Sequence, residues 1–152
     1  MVIPERSEVL KMSNQIFFAT NSKPFESGDE PSTIFADTAS ELGFRPIPHA
    51  GLGLQVRTAI LDREVRQNFY EFPIIVLYLG RSKEGSGPRD NWALPEMTHA
   101  LEMKKACLVY TAPDFPEEVL REYGIAGVAK TVRDSDDYRQ QLTTDLKSLK
   151  KA

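Results

Sequence analysis

Two stretches of the chain are apolar without alternation. Ile74, Ile75, Val76, Leu77, Tyr78 and Leu79 run together between Pro73 and Gly80, and Ala106, Cys107, Leu108, Val109 and Tyr110 form a second run of the same kind. Runs of this length, rich in β-branched residues, suit strands covered on both faces, the habit of parallel sheets. About one helix-length of sequence separates them, which is the spacing of a crossover connection between parallel strands. Gln15 to Thr20 is a further strand candidate, and Phe44 to His49 a short one whose two prolines suit a sheet edge. Gly127 to Val132 is a candidate for the last strand.

The intervening segments change period. Ile34, Phe35, Thr38, Ala39 and Leu42 recur at helical spacing, with Pro31 near the start and Gly43 as a stop. Leu54 to Tyr70 carries an apolar stripe of Val56, Ile60, Leu61, Val65 and Phe69, reached through the link His49 to Gly53. Phe115 to Tyr123 predicts a short helix led by Asp114 and Pro116 and stopped by Gly124. Asp134 to Lys150 predicts a last helix with Tyr138, Leu142, Leu146 and Leu149 facing inward. Strands alternating with helices at this pace predict an α/β fold of three layers: a five-stranded, mostly parallel sheet with helices on both faces. The right-handed crossover rule makes the flavodoxin-like order 2-1-3-4-5 the economical arrangement. We expect a flexible leader over residues 1–14, with Met12 as an alternative start, and a single domain over 15–150.

Composition adds exclusions. A net charge of -3 without a basic stripe argues against a nucleic-acid partner. A single cysteine excludes an intrachain disulfide framework, and Cys107, inside an apolar strand, reads as a small core residue. No apolar run approaches the ~20 residues of a membrane span, and the polar, acidic start is unlike a signal peptide, so a cytoplasmic protein without a membrane partner is expected. Two histidines without ligand spacing predict no metal site.

The expected order places the loops after the first four strands on one rim, where ligands bind in sheets of this kind. Candidate substrate-binding residues there are Thr20, Asn21, Ser22, His49, Gly80, Arg81, Ser82, Asp90 and Trp92. The Gly-rich stretch Gly80 to Gly87 lacks the spacing of a nucleoside-triphosphate loop, although Arg81 or Lys83 offers a counter-ion. Pro95 belongs in a first helical turn, so a helix should begin near Asn91 to Leu94, with Met97, Ala100 and Leu101 facing the sheet. Glu96 then falls in or just after the opening turn, where a carboxylate also complements the helix dipole. Phe17, Phe18 and Tyr78 are candidates for an aromatic wall, although their place inside strands favours the core.

The segment Asn91-Trp92-Ala93-Leu94-Pro95-Glu96-Met97, followed by Lys104-Lys105-Ala106-Cys107-Leu108-Val109, resembles the signature of Toll/interleukin-1 receptor (TIR) domains. In that family a tryptophan precedes a glutamate by four residues at the head of a helix, before a basic turn and a strand. Ile16-Phe17-Phe18 resembles the family's opening strand, and Gly51 to Ile60 its second box. Gln15 and Ala19 stand where many TIR domains carry an aspartate and a serine, His49 where an acidic residue is frequent, and Ala93 where a cysteine follows the tryptophan. The resemblance implies a flavodoxin-like sheet and, on Glu96, the catalytic role of cleaving the nicotinamide–ribose bond of NAD. NAD would then be a substrate, and no cofactor is expected. It also implies a second possibility, a non-catalytic signalling module that self-associates or binds a partner protein. Asp90, Glu96 and Ala100 are similar in spacing to nucleoside 2-deoxyribosyltransferases and nucleotide N-glycosidases, whose glutamate attacks the anomeric carbon of a nucleoside or nucleotide. Both resemblances put Glu96 at an N-glycosidic bond.

Overall fold

The computed structural model describes residues 15–20, 22–48, 74–81, 93–102 and 106–151. Five parallel strands form one sheet: β1 (Gln15–Thr20), β2 (Arg45–Pro48), β3 (Ile74–Leu79), β4 (Ala106–Thr111) and β5 (Ala129–Thr131). Their order is β2-β1-β3-β4-β5, the flavodoxin-like arrangement expected from the sequence. The chain moves outward from β1 to β2, then returns past β1 to β3. The boundary between β1 and β3 is therefore the point where the winding reverses.

Alternation along the strands sorts the core into two halves. Ile74, Val76 and Tyr78 of β3 point to one face with Ile16 and Phe18 of β1 and Tyr110 of β4. That face is covered by α1 (Pro31–Glu41), through Ile34, Phe35 and Ala39, and by α4 (Ser135–Lys151), through Tyr138, Leu142 and Leu146. Ile75, Leu77 and Leu79 point the other way with Phe17 and Val109. They meet Leu94 and Met97 of α2 (Ala93–Glu102) and Val119 and Leu120 of α3 (Glu117–Glu122). Every residue of β3 is buried, as its unbroken apolar run predicts for a central strand. β2, with its two prolines, is an edge strand.

Local chemistry fixes the helix ends. Pro31 opens α1, where the missing N–H costs nothing, and Gly43 follows it with φ +84°, a conformation open to glycine. Asp134 caps α4 by accepting from the Asp137 N–H (2.8 Å), and Asp137 reaches back to the Arg133 N–H (2.8 Å).

Several boundaries differ from the sequence expectation. The helix expected from Phe115 begins at Glu117, with Pro116 in extended conformation before it. Proline disfavours helical geometry in the residue ahead of it, so Phe115 lies in the preceding turn. Asp114 does not cap this helix. The last strand spans Ala129–Thr131 alone, because residues 126–128 form a turn held by the Val128 and Ala129 N–H groups on the Ile125 carbonyl. Cys107 is half-buried at the margin of the aliphatic core rather than within it. The expected helix Leu54 to Tyr70 and the leader lie outside the described residues. No helix among the described residues is long and apolar enough to cross a membrane.

Candidate functional site at the carboxyl rim

The exits of β1 and β3 are stapled together by two hydroxyls. Thr20 Oγ1 donates to the Tyr78 carbonyl (2.9 Å), and Ser22 Oγ accepts from the Gly80 N–H (2.7 Å). Ser22 Oγ also lies 3.4 Å from the Tyr78 carbonyl, and the Lys23 N–H donates to the Arg81 carbonyl (2.7 Å). Ser22 is buried, as such a staple requires. Gly80 allows the close approach: a Cβ there would stand 3.0 Å from Tyr78 Cε1 and 3.4 Å from Ser22 Cβ. Thr20, Ser22, Gly80 and Arg81 are thus brought together at the rim. The hydroxyls of Thr20 and Ser22 serve the backbone of the neighbouring strand.

Next to this staple lies a cleft of about 450 Å³, over the carboxyl ends of β1, β3, β4 and β5. Lys23 to Ser27 form one wall, Tyr78 and Arg81 a second, Ala112 to Asp114 a third, and Val132 to Ser135 the last. Arg81 Nε donates to Asp114 Oδ2 (3.2 Å) in an exposed ion pair, an arrangement contributing at most about 1 kcal/mol. Ser27 Oγ donates to Asp29 Oδ2 (2.8 Å) and lies 3.2 Å from Ser135 Oγ, which ties the β1 loop to the head of α4. Burial, reinforced by the charge of Asp114, pushes the Tyr78 phenol up to about 12. Beneath it, Tyr110 is likewise pushed up, by burial and by its hydrogen bond to Asp145, and Tyr138 by burial first and Tyr78 second.

Glu96 is the fourth residue of α2, which opens at the rim after β3. Pro95 stands in the first turn, as expected. Leu94 and Met97 are fully buried against the aliphatic half of the sheet, and Leu101 packs beside them. None of the described side chains of α2 (Leu94, Met97, Thr98, Leu101 and Glu102) lines the cleft just described, whose Tyr78 belongs to the other face of the sheet. Asn21, His49, Ser82, Lys83, Asp90 and Trp92 lie outside the described residues. Of the three aromatic candidates, Phe17 and Phe18 are core residues, and Tyr78 alone lines the cleft. Among the described residues, no group of three or more His, Cys, Asp or Glu is placed to hold a metal ion.

Reading the sequence left out most of this cleft. The sequence reads Glu26 to Pro31, rich in Gly and acid, as loop, and puts the loop Thr111 to Asp114 on the rim without naming a binding residue in it. Yet a parallel fifth strand must also end on this rim, and the polar cluster Arg133-Asp134-Ser135 directly after it was the available signal.

No family model matches the sequence, and no curated protein matches it. Among solved structures, the chain is similar to the TIR domains in the structure of the activated Roq1 resistosome directly recognizing the pathogen effector XopQ. The identity is 13%, with 87% of this chain and 82% of that chain covered, and the TM-score is 0.47. At that distance the likeness transfers no site residue.

Proposed function

We propose that the chain is a TIR-like domain that binds a nucleotide and cleaves its N-glycosidic bond through Glu96, with NAD as the substrate. The observation that supports this reading best is the place of Glu96. The helix expected to carry it begins at Ala93, after the central strand, and puts position 96 at the end of the first turn. Ligands of parallel sheets bind at this rim, and a negative charge in a first helical turn is favoured by the dipole. Breaking the bond between a ribose and a positively charged base passes through an oxocarbenium-like state. A carboxylate held beside the ribose stabilises that charge or holds the hydroxyls, and water completes the hydrolysis.

The arrangement of Arg81 bears on the non-catalytic reading. An ion pair of Glu96 with Arg81 or Arg89 would leave the carboxylate a structural role; Arg81 Nε lies on Asp114, and Arg89 lies outside the described residues. Incubation of the protein with NAD, and separately with a panel of nucleosides and nucleoside monophosphates, tests the proposal. Release of nicotinamide from NAD supports it. Release of free base from a nucleoside alone would move the substrate to the deoxyribosyltransferase class, and no release from any of them would leave the signalling module.

A further inference from the structure

The chemistry proposed for Glu96 makes no use of the cleft over β1, β3, β4 and β5. The cleft nevertheless lies beside the β1/β3 reversal point, where sheets of this order bind their ligands. Its volume of about 450 Å³ falls within the range of small-ligand clefts. The floor is aromatic: the rings of Phe25 and Tyr78 lie 5.0 Å apart, tilted by 48°. Tyr78 is only 5% exposed, and it lines the cleft. Burial keeps this phenol protonated at neutral pH, so it offers a hydrogen-bond donor to whatever occupies the cleft.

The rim limits what that acceptor can be. Lys23, Arg81 and Arg133 are balanced by Glu26, Asp114 and Asp134. Arg81 is paired with Asp114, Arg133 lies 3.6 Å from Asp137, and the head of α4 is closed by its own Asp134 and Asp137. Described residues that balance in charge give a polyphosphate little attraction. A flat, uncharged ring with polar edges gains from both the floor and the phenol.

We infer that this cleft binds an uncharged aromatic heterocycle of nucleoside size, lying against Phe25 and accepting a hydrogen bond from the Tyr78 hydroxyl. The inference is argued from Phe25, Tyr78 and the rim charges alone and does not rest on the hydrolase reading.

Adenosine is the probe and ADP the polyanionic comparator, titrated into the full chain while the tyrosine and phenylalanine ring resonances are followed by NMR. Saturable shifts of Tyr78 and Phe25 with adenosine are expected, with ADP binding no tighter. Tyr78→Phe removes one hydrogen bond and should weaken adenosine by roughly 3- to 10-fold. Gly80→Ala, whose Cβ would press on Tyr78 Cε1 and hydroxyl at 3.0 and 3.3 Å, should weaken it as well. Circular dichroism confirms that both variants are folded. Lys23→Ala should change the affinity by less than about twofold, because a neutral ligand gains little from a rim cation. Glu96→Gln should bind adenosine as the parent does, so loss of hydrolysis with retained binding separates the two proposals. Failure of adenosine to saturate overturns the inference. So does an ADP affinity that exceeds adenosine's and is lost in Lys23→Ala, or an adenosine affinity indifferent to both Tyr78→Phe and Gly80→Ala.

Discussion

The two faces of the sheet are built from different materials. The face under α2 and α3 is almost wholly aliphatic: Ile75, Leu77, Leu79, Leu94, Met97, Val109, Val119, Leu120 and Ile125, with Phe17 as its one fully buried ring. The face under α1 and α4 is aromatic and carries polar tips. Phe18 stacks on Phe35 at 4.6 Å, and Tyr138 sits among Phe25, Tyr78 and Tyr110 with ring centroids 5.2 to 5.7 Å away. Aliphatic packing places no demand on hydrogen bonding. Phenols buried in a core must each find a partner or lose the free energy of hydration. Tyr110 finds Asp145 at 2.7 Å, Tyr78 reaches the cleft, and Tyr138 finds none. Thr38 of α1, on the same side, is also buried without a partner. One half of the core is therefore optimised for packing, while the other gives up stability where its polar tips crowd beneath the rim.

Substitutions can break or sharpen that contrast. The largest effect is expected from Phe18→Ala, which removes a fully buried ring stacked on Phe35. It should destabilise by about 4 kcal/mol in denaturant melts, as large-to-small changes of buried rings do. Smaller effects of opposite sign should separate two neighbouring tyrosines. Tyr110→Phe strips a hydrogen bond from the Asp145 carboxylate, which Lys130 also holds at 2.7 Å, and should cost about 1.5 kcal/mol. Tyr138→Phe removes a hydroxyl that has no partner and should stabilise by about 1 kcal/mol. Equal losses for the two would mean that Tyr138 has a partner after all, and the contrast between the faces would fail.

The smallest effect concerns the head of α4 and depends on pH. The Asp137 carboxyl is held below the ordinary 3.8 by the Arg133 N–H first and by the Gln141 amide second. A carboxyl depressed in the folded state stabilises above the unfolded value and loses that contribution as pH falls through the folded one. The stability gap between the parent and Asp137→Asn should therefore be full above pH 3.8 and close as the pH drops below it. A gap that stays constant down to strongly acid pH would contradict the assignment.

The layers were readable in the sequence because the central strands β3 and β4 are apolar runs and the segments between strands carry periodic stripes. β1 and β3 fall on the expected residues, and the prolines of β2 mark it as an edge. Less was readable wherever one residue serves two purposes. Tyr78 reads as core because it lies in a buried strand, and it is core along most of its length; only the hydroxyl at its end belongs to the cleft. Thr20 and Ser22 read as ligand donors because they are polar and at the rim, yet pairing with the next strand uses both hydroxyls. Asp114 reads as a cap until Pro116 delays the helix, which leaves its carboxylate to Arg81. Such assignments turn on distances across the sheet, which a linear pattern does not contain.

The proposal that the rim at the head of α2 performs chemistry is addressed directly by one assay. Nicotinamide released from NAD is to be measured side by side for the parent, Glu96→Gln and Tyr78→Phe, with all three shown to be folded. Release by the parent, turnover by Tyr78→Phe, and at least a roughly hundredfold loss in Glu96→Gln are expected, the scale of removing one group that stabilises transition-state charge. Parent-like release by Glu96→Gln would contradict the proposal.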